Sequence, residues 1–170
     1  LTFTLAECNS MGLALMDAPP LDDALEKLEQ GEASAAVAVE NDLQRRAEPG
    51  RLQQALAGVP TLQLDVLAHP GLRQADAALP AASFAESDGT LVSLEGRAQR
   101  FYQVFEPTDS VIESWRWLAR LARYAGVGDQ LPWQRLDEVI ADCARELPPL
   151  AGITEAAPDA DERVVGMRLA

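Results

Sequence analysis

Cysteine and histidine are scarce in this chain. Its 170 residues include two cysteines, Cys8 and Cys143, and one histidine, His69. The two thiols match no metal-ligand spacing and cannot supply the four thiolates of an iron–sulfur centre, so the reading is two free thiols in a reducing compartment. Aromatic residues make up only 5% of the chain, and alanine is abundant, which predicts helices packed through small side chains around a few large anchors. Basic residues are few: 14 Lys and Arg stand against 27 Asp and Glu, for a formal charge of -13. A field of that sign repels phosphate backbones and anionic membrane surfaces, which disfavours nucleic-acid binding. No apolar run approaches the length of a membrane span, and the first residues lack the basic-then-apolar order of a signal peptide. Phosphate loops are missing as well. Neither G-x-G-x-x-G nor the P-loop pattern occurs, and Gly126-Val127-Gly128 follows a helical segment instead of opening one. There is no Gly-x-Ser-x-Gly nucleophile elbow.

The hydrophobic fraction, 48%, is that of a globular protein, and the length allows one sizeable core. Leu1, Phe3 and Leu5 alternate like a strand, and Met11, Leu13 and Leu15 suit a helix begun after Asn9-Ser10. The opening carries no initiator Met and starts in mid-pattern, so the expectation is a piece of a longer chain. Leu21, Leu25 and Leu28 keep helical spacing, with Asp22 and Asp23 in the first turn and Gly31 as the stop. Ser34–Val39 is a short apolar run that suits a strand buried on both faces. Leu52, Ala55 and Leu56 mark a helix closed by Gly58 and Pro60, and Thr61–Leu67 reads as a second strand. This β–α–β order predicts a locally parallel sheet with a right-handed crossover. Ala75–Leu79 reads as a third strand, ended by Pro80. The fold class is therefore α/β: an open, mainly parallel sheet with flanking helices and a largely helical C-terminal flank. The domain reading is a partial α/β domain over 1–90, an extended crossover and helical flank over 91–150, either separate or packed as one unit with 1–90, and a tail over 151–170 leading toward a missing domain.

In the C-terminal half, Thr90–Val104 reads as extended, with Gly96 allowing a bend. Ser110 and Glu113 make a capping-box pattern before Val111-Ile112. In the helix that follows, Trp115, Leu118, Ala119 and Ala122 share one face and Trp117, Leu121 and Tyr124 a second. Arg116, Arg120 and Arg123 fill the remaining arc. Two apolar stripes predict a helix covered on two sides, so Trp115, Arg116, Trp117, Arg120 and Arg123 form a candidate docking surface. A last helix is expected from Pro132, with Trp133, Leu136, Ile140, Cys143 and Leu147 on one face.

Candidate chemistry is thin. Asp65 and Asp76 lie near strand ends, where α/β sheets commonly bind ligands, but structural and capping roles are the ordinary use of such carboxylates. His69, in the loop after the second strand, occupies a respectable active-site position, yet a lone histidine before Pro-Gly is more often a loop residue. Asp88-Gly89-Thr90 is explained by turn geometry, with Gly89 permitting positive φ. Ser83 and Glu86 suit a one-turn cap, and Arg97 is expected to pair with Glu86 or Glu95 and clasp the turn.

One block is distinctive beyond its geometry: Ala75, Asp76, Leu79, Pro80, Phe84, Glu86, Gly89, Thr90, then Glu95, Gly96, Arg97 and Gln99. This order resembles the molybdopterin-oxidoreductase superfamily, and within it the large iron–sulfur subunit of bacterial NADH:quinone oxidoreductases, respiratory complex I. The continuation through Arg100–Pro107 and Glu113–Leu118 is similar to the gammaproteobacterial form, and Ala33–Asp42 resembles a strand and loop of the family's α/β domain. The resemblance implies a piece of a larger molybdopterin-oxidoreductase-like fold, in a member that keeps the architecture and has lost the pterin chemistry. Many relatives carry Thr-Glu-Thr shortly before the Ala-Asp pair, where this chain has His69-Pro70-Gly71-Leu72-Arg73, so pterin contacts are not carried over. No catalytic, cofactor-binding or metal residue is assigned. Asp76, Pro80, Glu86, Asp88, Gly89, Thr90, Glu95, Gly96 and Arg97 are assigned as a structural motif. By the same resemblance, iron–sulfur clusters belong to the parent subunit and FMN lies elsewhere in the parent complex. The implied partners are the remainder of the subunit and other peripheral-arm subunits, without nucleic acid or direct membrane insertion. The implied location is the bacterial cytoplasm, at the cytoplasmic side of the inner membrane. Two alternatives stand beside this one: a pterin-cofactor-binding fragment of a molybdopterin-dependent oxidoreductase, and an α/β interaction module unrelated to electron transfer.

Overall fold

The structure is a computed structural model and describes residues 7–108 and 110–156. The alternation of Leu1, Phe3 and Leu5, and the tail beyond residue 156, lie outside the described residues. The chain forms two compact units, each assembled from separated segments.

The larger unit, Pro19–Ser87 with Gln103–Pro132, holds the α/β core. Its strands β1 (Ala36–Val39), β2 (Thr61–Asp65) and β3 (Ala77–Pro80) pair in parallel in the order β1-β2-β3, so the expected open parallel sheet is present. Register places Val39 beside Leu64 and Asp65 beside Pro80. Between β1 and β2 runs helix α3 (Pro49–Ala55), entered by proline at its first turn and capped by the Glu48 carboxylate on the Arg51 N–H at 2.7 Å. Helix α2 (Leu21–Glu29) packs beside α3, and Leu25, Leu52 and Ala55 form the buried cluster between them. Arg51 reaches back from α3 to Asp22 and Glu29 of α2, tying the two helices at their surface. Gly31 and Gly58 sit at φ +72° and +73°, the left-handed conformation that ends a helix without a Cβ penalty.

Leu64 is fully buried at the centre of the sheet. β1 differs from its expected character: Val37 is 53% exposed, so this strand is covered on one face only. A run of Ala and Val does not distinguish a strand buried on two faces from an edge strand with one face open.

Helix α4 (Ser114–Tyr124) packs against β2 and buries Ser114, Ala119 and Ala122. It starts after the expected capping box. Val111 and Ile112 are not helical; Ile112 instead makes a parallel bridge to Ala81, and Glu113 is the N-cap residue. The pairing takes the backbone groups that a longer helix would have needed. Gly126, at φ +77°, ends the segment.

The smaller unit comprises described residues 7–18, Asp88–Tyr102 and 133–156. Thr90–Val104 is not one extended run. Strands β4 (Gly89–Val92) and β5 (Ala98–Phe101) form an antiparallel hairpin turned at Ser93–Arg97, with Gly96 at φ +76° supplying the left-handed residue. Helix α1 (Ser10–Leu15) packs on β4, where Asn9 Oδ1 accepts the Val92 N–H at 2.9 Å. The last helix, α5, spans Leu136–Glu146 and begins after Pro132 and Trp133. Its start is set by Glu138, whose carboxylate accepts the Gln134 and Arg135 N–H groups. Trp133 lies before the helix and donates its indole N–H to Asp142 at 2.6 Å.

Candidate functional site

The carboxyl edge of the parallel sheet, the usual ligand position in this architecture, is cross-linked by the chain's own side chains. β2 ends at Asp65 and the loop beyond it returns His69 over the edge. His69 Nε2 lies 3.0 Å from Asp65 Oδ2, and its Nδ1 lies 3.4 Å from Asp42 Oδ1, from the loop after β1. Gln63, 3% exposed, donates from Nε2 to the Asn41 carbonyl at 2.9 Å and approaches Asp65 Oδ2 at 3.3 Å. Asp42 also accepts the Gln44 N–H at 3.2 Å, opening the 3-10 turn Leu43–Arg45. The imidazole is therefore held by Asp65 through Nε2, while its buried Nδ1 faces Asp42 without making a hydrogen bond.

Burial pushes the Asp65 carboxyl up, but the Leu67 N–H, His69, Gln63 and the Val66 N–H outweigh it, and the group titrates below the usual aspartate range. A depressed folded pKa stabilises the fold above the unfolded value, about 3.9, and that contribution is lost as pH falls through the lower folded value. Asp65→Asn is therefore expected to cost about 1–3 kcal/mol at neutral pH. The wild-type advantage should shrink progressively below about pH 4. Urea titrations of both forms at pH 7, 4 and 3 measure this; parallel pH profiles would show that Asp65 gains nothing from its partners.

Along the strand edges the same sheet continues to bond. Glu40, at φ +48°, accepts the Ser114 hydroxyl, and the Trp117 indole N–H donates to the Pro80 carbonyl at 2.8 Å. Asp76 does not join Asp65. It precedes β3 at the opposite, amino edge, where its carboxylate accepts the Thr61 N–H at 2.8 Å, so the two aspartates cannot act as a pair. A groove of roughly 840 Å³ lies beside α3, bordered by Leu52, Leu56, Gln53, Gln63, Gln74 and Asp76. Among the described residues, no group of three or more His, Cys, Asp and Glu side chains is arranged to hold a metal ion.

The motif residues are divided between the two units. Asp76, Pro80 and Glu86 belong to the larger one, where Glu86 accepts both the N–H and the hydroxyl of Ser83, at 3.0 and 2.7 Å, and closes a turn. These two bonds, the N–H first, hold the Glu86 carboxyl below its ordinary range. Asp88, Gly89, Thr90, Glu95, Gly96 and Arg97 belong to the smaller unit. Gly89 does not use positive φ. A Cβ there would fall 2.2 Å from the Phe101 ring directly across the hairpin, so the position needs room. Arg97 is exposed, and no ion pair or side-chain hydrogen bond joins it to Glu86 or Glu95 among the described residues. The turn is closed instead by Ser93, whose N–H donates to the Arg97 carbonyl and whose Oγ accepts the Arg97 N–H. A five-residue hairpin turn already satisfies its own backbone.

On α4 the guanidinium of Arg116 lies 4.4 Å from the Trp115 ring and pairs with Glu113 at 2.8 Å, and Arg120 lies 5.4 Å from the Trp117 ring. Tyr124 is 90% exposed. Sequence reasoning assigns no role at this edge to Asn41, Asp42 or Gln63. The available signal is Gln63 itself, a polar side chain centred in the apolar strand Thr61–Asp65, which requires a partner when buried.

An open parallel sheet with flanking helices defines an α/β domain, and the family comparison agrees with that class. The model of the molybdopterin oxidoreductase family matches residues 13–124, and the chain belongs to that family. Among curated proteins it is similar to the G subunit of the NADH-quinone oxidoreductase of Yersinia pestis, 45% identical over all of this chain and 20% of the relative. The corresponding G subunit of Shewanella oneidensis is 49% identical over 96% of the chain and 19% of the relative. That of Escherichia coli K12 is 44% identical over the full chain and 19% of the relative. The chain therefore spans about a fifth of the length of these relatives.

The family name implies a molybdopterin, whose phosphate is anionic. The carboxyl edge presents Glu40, Asp42 and Asp65, and their donor partners are Ser114, Gln44, Gln63 and His69 of the same chain. Negative charge with its donors already engaged does not fit a phosphate-bearing ligand.

Proposed function

We propose that this chain is a structural, non-catalytic segment of the large iron–sulfur subunit of a bacterial NADH-quinone oxidoreductase, in the peripheral arm at the cytoplasmic side of the inner membrane. The observation that carries this reading is the similarity to the G subunits of those enzymes, 44–49% identity along 96–100% of the chain. The self-bonded carboxyl edge supports it: Gln63 ties β2 to the loop after β1 through the Asn41 carbonyl, and Asp65 is engaged by His69 and Gln63. No helix among the described residues is long and apolar enough to cross a membrane, which is compatible with a role in that arm. In this reading the iron–sulfur clusters sit in the rest of the subunit and FMN in another subunit. The surface of α4 that carries Trp115, Arg116, Trp117, Arg120 and Arg123 docks against the remainder of the subunit.

The test uses the assembled complex with the double substitution Asp65→Asn and His69→Ala. Electron transfer from NADH to a quinone analogue, normalised to assembled complex, is expected to stay within about twofold of wild type. Extraction is expected to release pterin well below one per subunit. A loss of about tenfold or more per complex with iron content unchanged, or stoichiometric pterin, would reject the structural role.

A further inference from the structure

Three of the exposed apolar side chains of the larger unit are gathered on two adjoining loops. Phe84 is 82% exposed, Val104 70% and Phe105 64%. Their backbones are joined, because the Ala85 carbonyl accepts both the Val104 and the Phe105 N–H at 2.9 Å. Neither loop is loose. The Ser83–Glu86 turn is closed by two bonds to the Glu86 carboxylate, by the Glu86 N–H to the Ser83 carbonyl at 2.9 Å, and by the Ser87 hydroxyl to the same carbonyl at 2.8 Å. On the facing loop, Gln103 Nε2 donates to the Phe105 carbonyl at 2.8 Å. A phenylalanine held at the tip of a hydrogen-bonded turn has lost most of its backbone freedom before any contact forms. That lowers the entropic cost of burying it.

Resting on the reading of the chain as a segment of a longer subunit, we propose that Phe84, Val104 and Phe105 form a preformed apolar knob. Its occupant is an apolar pocket supplied by the remaining polypeptide of the same subunit. Two observations choose that occupant. The relatives carry about four-fifths of their length outside the matched region, so covering chain is available in the same molecule. The area is the second. The three side chains expose roughly 400 Å², taking 150–250 Å² for an aromatic residue. A stable interface between separate molecules buries about 800 Å² on each partner, because association must also offset lost translational and rotational freedom. Half that area is too little to hold a second copy or another subunit by itself. It is ample for a contact between parts of one chain, where no such cost arises.

Hydroxyl-radical footprinting read by mass spectrometry tests this on wild-type protein, without a substitution that alters the knob. Oxidation of Phe84 and Phe105 is followed in the purified intact subunit at several concentrations, in the assembled complex, and in the urea-unfolded chain as reference. The expected result is oxidation at least about tenfold slower than the reference in the isolated intact subunit, independent of concentration. Protection that appears only in the complex assigns the knob to another subunit and overturns the proposal, as does protection that grows with concentration, which assigns it to a second copy. Reactivity near the reference throughout also overturns it. The measurement reads contact alone, so reactive phenylalanines in a complex that assembles and transfers electrons reject this inference and leave the structural role standing.

Discussion

Replacing Leu64 by alanine is expected to cost about 2–5 kcal/mol, a large fraction of the roughly 5–15 kcal/mol that stabilises an ordinary domain. Leu64 has no exposed surface, lies in the central strand, and is flanked in register by Val39 and Leu79. The loss has two parts, the transfer free energy of the deleted carbons and the cavity left where β2 cannot collapse. Strands paired on both sides hold the backbone in place, which argues for the upper half of the range. Val37→Ala, on the neighbouring strand at 53% exposure, is the control and should change stability by less than about 0.5 kcal/mol. Urea denaturation followed by tryptophan fluorescence measures both. Similar small losses at the two positions would mean that Leu64 does not sit at the centre of a packed sheet.

Gly89→Ala is expected to destabilise the hairpin unit by about 1–3 kcal/mol through overpacking. The new methyl group would lie 2.2 Å from one carbon of the Phe101 ring and 2.3 Å from another. Phe101 is the direct cross-strand partner, so its ring covers the bare glycine backbone and can yield only by uncovering it. The sign of the effect is conditional on that ring. Because φ at Gly89 lies outside the left-handed region, alanine has no backbone penalty there and a smaller unfolded-state entropy to lose. In a Phe101→Ala background the same Gly89→Ala substitution should be neutral or slightly stabilising. A double-mutant cycle measures the coupling; equal costs in the two backgrounds would show that the ring is not what excludes a side chain.

The Gly89 case shows how far local sequence carries. An acidic residue, glycine and threonine at a segment boundary read as a turn in which the glycine permits positive φ. The residue is instead the first of a strand, and its requirement comes from a phenylalanine 12 residues later that faces it across the hairpin. Local sequence holds φ preferences, but a steric demand from a paired strand exists only once register is set. Arg97 makes the same point in the opposite direction. A guanidinium among carboxylates reads as a clasp, yet the hairpin turn is closed by backbone bonds at Ser93 and the side chain stays in solvent.

By itself the sequence determined the α/β class, the order strand–helix–strand through β1, α3 and β2, and the third strand ending at Pro80. It also determined the helix stops at Gly31, Gly58 and Gly126, each with the positive φ that glycine tolerates. These features rest on short-range physics: side-chain periodicity, glycine torsions and the missing N–H of proline. Its Ala75–Gln99 pattern also carried the family, because that signal is an order of residues and needs no coordinates. Only the tertiary structure decided what the carboxyl edge does. Asp42, Gln63, Asp65 and His69 are spread over 28 residues and meet because parallel pairing sets Val39 beside Leu64, bringing the loops after β1 and β2 to the same edge. It also decided that helix α4 waits until Ser114, since Ile112 pairs with Ala81, and that segments far apart in sequence share each compact unit. Each of these outcomes is a competition between local preference and a partner distant along the chain, and the partner's position is fixed by the packing of the whole sheet.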